Sequence, residues 1–506
     1  MNNNTYGEYK NHVNYATKKS LDDGVIQRIT DIGYYYQFGK KELGPFTVYD
    51  ETEPAFCSML AEKLGVEPKK IVEGVLREID RPTTLEEIAD ILGTTIRQDQ
   101  ANKLVLFCAM ILTFTEEDQI NILMSGESSG GKSYTSLEIA SYMPKESLLI
   151  IARASPTAFF YDVGSWDEEA KALRIDLSHK ILILLDQPHY TLLVMLRSLL
   201  SHDQPELLHK ITDKSKRGEL RTKNIIVQGY PTVVFCAAKF SLDEQERTRV
   251  FILSPESSQE KFEESLRLCI ARVGDREAFK QWIDSNPRRR WLKSRVSSIK
   301  AAGIKDVIIQ NQDGIYTRFR SSHKHLAPRH QRDLPRILSL IKAHALLDHR
   351  HREMKGQHSI IATKDDEEAG FNLYDLIARP NELGISPQVY EIYENIVKPL
   401  LDIDEGLTRK KILGTYREHY GRPLGRKKLE EEILPSLETA GLVIEEPDPN
   451  DRRRRLVYPP NGGNISCHEP PKRNVPQILG TSLNHHIRPN IESPEDQLKL
   501  NSKETK

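Results

Sequence analysis

The chain has 506 residues, 38% of them hydrophobic and 29% charged, with 72 Lys and Arg against 73 Asp and Glu. A formal net charge of −1 excludes a global field for a polyanion, so any nucleic-acid surface has to be a local patch; the length suits roughly three or four domains. Five scattered cysteines without a C-x-x-C pair, the polar start Met1-Asn2-Asn3-Asn4 and the lack of an apolar run near ~20 residues argue against a disulfide framework, a secretory leader and a membrane span, so a reducing cytoplasmic setting is expected.

Residues 1–80 form an N-terminal region with short strand-like runs at 24–30 and 46–49 and no chemical signature. From 53 to 113 the pattern turns helical: 84–92 is amphipathic, and 102–113 is strongly apolar and leads into a first core strand. From 119 to about 255 the pattern alternates strand and helix, within a core domain expected over 81–257. The apolar runs at 120–124, 148–152, 181–185, 232–236 and 250–253 are continuous rather than alternating, as expected of parallel strands covered on both faces. Residues 258–378 read as mostly helical, 379–460 as a separate compact domain, and the Pro-, Asn- and Ser-rich tail 461–506 as disordered.

Gly126-Glu127-Ser128-Ser129-Gly130-Gly131-Lys132-Ser133 stands between the first apolar strand and a helix-prone segment. In that context the G-x-x-x-x-G-K-[ST] pattern is a phosphate cradle, because glycines let consecutive N–H groups and a helix N-terminus close on phosphate oxygens. Lys132 would reach the β- and γ-phosphates of ATP, and the Ser133 hydroxyl would enter the Mg²⁺ shell. Asp186, closing the apolar run 181–185, is the candidate metal-ordering acid. Gln187 follows where a glutamate would polarise the attacking water; glutamine orients water but cannot accept its proton, so hydrolysis is expected to be slow or to use another acid such as Asp203 or Glu206. Arg249, with Arg247 as the alternative, precedes the strand at 250–253 and suits a residue that reaches a neighbouring subunit's γ-phosphate. Lys239 is a further phosphate-sensing candidate.

Between the strands at 181 and 232, residues 206–212 and 221–228 alternate apolar and polar around Asp213-Lys214-Ser215-Lys216-Arg217-Gly218-Glu219, a hairpin on the same sheet with a cationic tip. Lys214, Lys216 and Arg217 can neutralise DNA phosphates without reading sequence. In 386–458, three helices and a two-stranded ribbon form a winged-helix pattern. Its positive charges gather at Arg426, Lys427 and Lys428 and on the wing at Arg452, Arg453 and Arg454, suited to duplex backbone; protein docking is the alternative use.

Taken together, residues about 85–460 resemble the AAA+ replicative helicases of the minichromosome-maintenance type and their relatives on mobile genetic elements. The more specific motif is Gln331-Arg332-Asp333-Leu334 followed by Leu340-Ile341-Lys342-Ala343-His344-Ala345, similar to the lid helix of those enzymes. The resemblance implies an α/β fold: a P-loop AAA+ core (parallel sheet with helices on both faces), a helical lid and a C-terminal winged-helix domain. It implies Arg332, with Arg336 as the alternative, as a lid arginine facing nucleotide. It also implies a hexameric ring holding ATP at subunit interfaces, single-stranded DNA in the channel and duplex at the winged helix. An ATP-dependent helicase acting in replication is the favoured expectation, and an initiator, loader or DNA-bound ATP switch is the alternative.

Overall fold

The computed structural model describes the strands within 17–46, positions 62, 63 and 65, and residues 81–152, 164–186, 200–213, 221–237, 247–323, 325–404, 406–449, 451 and 453–460, with positions 192, 194 and 197. The expected tail at 461–506 lies outside the described residues. The chain divides into two compact units, one drawn from described residues of 1–97 and 263–302, the other from those of 98–262 and 303–476. No helix among the described residues is long and apolar enough to cross a membrane.

In the first unit, β1 (Thr17–Leu21), β2 (Val25–Thr30), β3 (Gly33–Phe38) and β4 (Lys41–Phe46) form an antiparallel meander in chain order. The expected run at 24–30 is β2; of the run expected at 46–49, Phe46 ends β4 and residues 47–49 lie outside the described residues. Helix α1 (Leu85–Gly93) begins where the Thr84 side chain accepts from the Glu87 amide, and it buries Leu85, Ile88 and Leu92. The Arg81 guanidinium lies 4.5 Å over the Trp291 ring, and Arg289 donates to Thr95 at 2.8 Å; these contacts join α1 to the helix Pro287–Ala302.

The second unit is built on a sheet. Helix α2 (Gln100–Ile111) leads to β5 (Ile122–Ser125), and α3 (Lys132–Ala140) follows it. The later strands are β6 (Leu148–Ile151), β7 (Ser165–Asp167), β8 (Ala172–Asp176), β9 (Ile181–Leu184), β10 (Glu206–Asp213), β11 (Arg221–Gln228), β12 (Thr232–Ala237) and β13 (Phe251–Leu253). All pairs in the central sheet are parallel, in the order β13-β5-β12-β9-β6. Every residue of β5, β9, β12 and β13 is buried, which is why these strands read as unbroken apolar runs. All five expected core strands are present within about two residues of their expected ends.

The expected hairpin is present as β10 and β11, paired from Glu206↔Gln228 to Asp213↔Arg221, but it does not belong to the central sheet. It forms a second sheet, β10-β11-β8-β7, in which β11 runs parallel to β8. The two sheets share one apolar core: Leu173, Ile175 and Val227 of the second meet Leu182, Val233 and Phe235 of the first. This second layer was not legible, because β7 is three residues long and two of them are exposed.

The edge strand β13 is covered by a side chain. Asn381 accepts from the Ile252 amide at 2.8 Å and donates to the Ile252 carbonyl at 3.0 Å, which continues the ladder without a strand. Farther along, β14 (Asp306–Ile308) pairs in parallel with β15 (Ser359–Ile361), and the long helix α4 (His330–Leu347) packs on α5 (Lys364–Asp375). The last part has its own core, with Val389, Ile396, Ile412, Leu429, Ile433 and Val457 fully or almost fully buried. There, helical residues 387–401, α6 (Arg409–Tyr420) and helical residues 426–439 are closed by β16 (Leu407–Thr408), β17 (Ile444–Pro447) and β18 (Arg455–Tyr458), in the order β16-β18-β17. The expected two-stranded ribbon is thus three-stranded.

Candidate functional site

The phosphate loop is the turn between β5 and α3. Gly126 has φ +144 and Gly131 φ +94, backbone conformations that a side chain would strain. A Cβ at Gly130 would press on the Glu127 carbonyl oxygen at 3.1 Å. Gly131 is the N-cap of α3 and carries no capping side chain, so the amides of the first helical turn are left for an anion. Buried Lys132 donates to the carbonyls of Gly126 at 2.9 Å and Glu127 at 2.6 Å, curling over the loop. Burial lowers its pKa from the ordinary lysine value, and the charge of Lys428 adds to that effect. Beneath it, the Cys236 thiol at the end of β12 lies 3.5 Å from Ser136 and interacts with the Ser133 hydroxyl; burial pushes the thiol pKa up. Uncapped amides, a converging ammonium and a helix-start hydroxyl fit a nucleoside triphosphate with a divalent cation.

The loop is held from below by a polar cluster. Asp99 and Glu256 exchange backbone-to-carboxylate hydrogen bonds at 3.0 and 2.6 Å, Lys261 pairs with Asp99, and Asn102 donates to the Ser254 carbonyl at 2.7 Å. Burial pushes the Glu256 carboxyl up. These contacts fix residues 254–261 against the start of α2 and bring Pro255 to 3.5 Å from where a Gly126 Cβ would sit.

Asp186 is exposed, two residues past the end of β9. The register Leu184↔Phe235 and Phe235↔Leu123 puts it level with Ser125, just before the loop, with β12 between. Two strand spacings are about 10 Å, the reach of a carboxylate acting through a hydrated cation rather than directly. Of the substitute acids, Asp203 is exposed and Glu206 is paired with Arg174 at 2.9 Å on the second sheet. Gln187, Lys239, Lys214, Lys216, Arg217 and Arg452 lie outside the described residues.

Arg249 and Arg247 are half-buried in the turn before β13, so they sit at the end of the parallel strands opposite the phosphate loop. The Arg249 Nε donates to the Ser201 hydroxyl. Arg332 is half-buried in the first turn of α4, beside a knot of charge: buried Asp333 accepts from Arg329 at 2.8 Å and from Arg336 at 3.3 Å. Arg336 also donates to the Thr248 carbonyl and lies 5.0 Å over the Phe251 ring; its burial brings its pKa down to about 10. Arg336 therefore ties α4 to the turn that carries Arg249. In the Ala343-His344-Ala345 stretch the alanines are fully buried, and His344 meets Asp366 at 2.6 Å. Arg352 grips the same carboxylate at 2.7 and 2.8 Å, and Asp366 closes a capping box with Thr363.

Of the basic residues in the C-terminal part, Arg426 and Lys427 are exposed, with Arg426 on Glu430 at 2.8 Å. Arg453 and Arg454 are exposed in the turn before β18, with Arg454 3.3 Å from Asp451. Lys428 is placed differently: its ammonium donates to Glu127 of the phosphate loop at 2.9 Å. Arg422, which the sequence did not single out, donates to the same carboxylate at 2.7 Å. Burial raises the Glu127 pKa, but the two cations outweigh it and hold the carboxyl below its usual range.

Residues 73–269 match the family described as the MTBMA_p00010 P-loop domain. Among curated proteins, no sequence matches the chain. Among solved structures, a full-length MCM homolog from Methanopyrus kandleri is similar at 11% identity and a TM-score of 0.37, over 70% of this chain and 68% of that one. The family match and the strand–loop–helix geometry agree: the chain carries a P-loop nucleotide-binding domain on an α/β core.

Proposed function

We propose that the chain is a ring-forming ATPase that uses ATP hydrolysis to move along or separate DNA during replication. The observation that carries this reading is the division of candidate residues between the two ends of one parallel sheet. Lys132, Ser133 and Asp186 gather at the C-terminal strand ends, whereas Arg249 stands at the other end, in the turn that Arg336 of α4 grips. A chain so arranged holds nucleotide with one edge and offers arginines with the opposite edge, which suits a site completed between copies. Magnesium bound through Ser133 and Asp186 would neutralise charge on the β- and γ-phosphate oxygens. Within the chain, Lys132 and the α3 amides hold the phosphates, and Arg249 of the next copy meets charge developing on the γ-phosphate. The hairpin β10–β11 carries Lys214, Lys216 and Arg217 in its connecting sequence. It shares its apolar core with the ATPase sheet, a physical route from hydrolysis to a DNA-contacting tip. The winged-helix reading of residues 379–460 rests on three helical segments followed by an antiparallel ribbon, with Arg453 and Arg454 exposed before its return strand.

Mixing variants tests the composite site. Lys132→Ala and Arg249→Ala should each abolish ATPase alone. An equal mixture should recover about a quarter of the wild-type rate, from interfaces pairing an intact loop with an intact arginine. No recovery on mixing would contradict a shared site.

A DNA-bound ATP switch without translocation is the second reading. It is favoured by Lys428 and Arg422 meeting the phosphate loop, which links the C-terminal part directly to nucleotide.

A further inference from the structure

Glu127, the first variable residue of the phosphate loop, is met by two cations from 295 and 301 residues further along the chain. Both are fixed by more than that carboxylate. Arg422 follows Gly421, whose φ of +67 turns the chain out of α6; Gln259 donates to the Tyr420 carbonyl at 3.1 Å, and the Arg422 guanidinium lies 5.6 Å over the Phe262 ring. Lys428 also donates to Gln388 at 3.3 Å. The loop end of the unit thus brings Lys132, Arg422 and Lys428 together, the last two sharing the Glu127 carboxylate, beside the uncapped amides of α3. Lys428 is close enough to bear on the Lys132 ammonium. The Arg422 Nε and Nη2 are buried and make no bond to Glu127; the Tyr416 hydroxyl is the other polar group beside the guanidinium. Two cations converging on the phosphate loop suit a polyphosphate.

We propose that Arg422 and Lys428 are phosphate-contacting residues of the nucleotide site, supplied in cis by the C-terminal domain and steered there by Glu127. The proposal rests on the nucleotide-binding reading and extends the site beyond the loop and α4. It assigns Lys428 to nucleotide and leaves Arg426, Lys427 and the turn before β18 as the C-terminal surface open to DNA. It also couples the two parts of the unit: a triphosphate drawn onto Arg422 and Lys428 competes with Glu127 for them, so nucleotide binding bears on how the C-terminal domain is held.

The test is equilibrium binding of a fluorescent (N-methylanthraniloyl) ATP and its ADP counterpart, with Mg²⁺, to the full chain. Arg422→Ala and Lys428→Ala should each weaken ATP binding by about tenfold or more, equivalent to about 1.4 kcal/mol. The loss should be smaller for ADP, and Lys428→Arg should restore most of the affinity. Glu127→Gln should tighten ATP binding several-fold, because a carboxylate beside the phosphates is removed and both cations are released to them. A latch without phosphate contact gives the opposite sign: Glu127→Gln would weaken binding as much as Lys428→Ala, and that overturns the proposal. Wild-type affinity in both cation variants, with binding abolished by Lys132→Ala, overturns this proposal alone. Failure of the wild type to bind ATP at all overturns the nucleotide reading and this one with it. Circular-dichroism melts identify any unfolded variant; should Arg422→Ala be one, the Lys428 and Glu127 series decides.

Discussion

Asp366 shows how a single residue carries structure that its motif does not advertise. Its buried carboxylate is shared by His344, Arg352 and the cap of α5. Burial raises its pKa, but the hydrogen bonds to His344 and Arg352 overcome this and hold the group far below the ordinary aspartate value. A depressed folded-state pKa stabilises the fold above the unfolded value, about pH 4, and the contribution is lost as the pH falls from there towards the folded value. Asp366→Asn should therefore cost about 3–5 kcal/mol near neutrality, as expected when a buried pair loses one partner, and should flatten the pH dependence of the melting temperature below about pH 4. Thermal melts from pH 7 to pH 2 measure both effects; a variant as stable and as acid-sensitive as wild type would contradict the assignment. His344 was picked out in the sequence for its place between two alanines, and the structure supplies the physical reason for that pattern: small neighbours let α4 pack closely while the imidazole reaches across to α5. The Thr363-x-x-Asp366 spacing is itself a capping-box pattern.

At the scale of elements, the central sheet was legible because parallel strands buried on both faces leave unbroken apolar runs, and the loop at 126–133 because a phosphate cradle demands glycine at fixed spacings. What escaped notice lacked such local pressure. The second sheet is assembled from a three-residue strand, a half-buried one and a hairpin that alternates in sequence. Its partnership with β8 is a parallel pairing that no turn dictates. Asn381 is another case, since no residue pattern announces a side chain that closes a sheet edge 129 residues away. Asn381→Ala should leave the buried Ile252 amide unpaired and cost about 1–3 kcal/mol, visible as a lower denaturant midpoint with an unchanged slope. A midpoint equal to wild type would mean that the edge of β13 is satisfied by another group.

At the scale of the whole molecule, the contact that joins Glu127 to Arg422 and Lys428 could not be read from the sequence, because its partners lie about 300 residues apart. The sequence marked Lys428 as basic and surface-bound by the company of Arg426 and Lys427; only the packing of residues 387–439 turns it to the phosphate loop. A ring ATPase also makes an assembly-level prediction: addition of ATP and Mg²⁺ should shift the mass seen by mass photometry from small species to a closed oligomer of about six copies, and Arg249→Ala should weaken that shift. Persistence as a monomer at micromolar protein would contradict the ring.

The most direct measurement of the central claim is ATP turnover with and without single-stranded DNA, for wild type and for a Lys214→Ala, Lys216→Ala, Arg217→Ala triple variant. A DNA motor predicts turnover stimulated about tenfold or more by DNA, with the stimulation lost in the triple variant while its DNA-free turnover persists. Turnover indifferent to DNA, or a triple variant stimulated as fully as wild type, would contradict it.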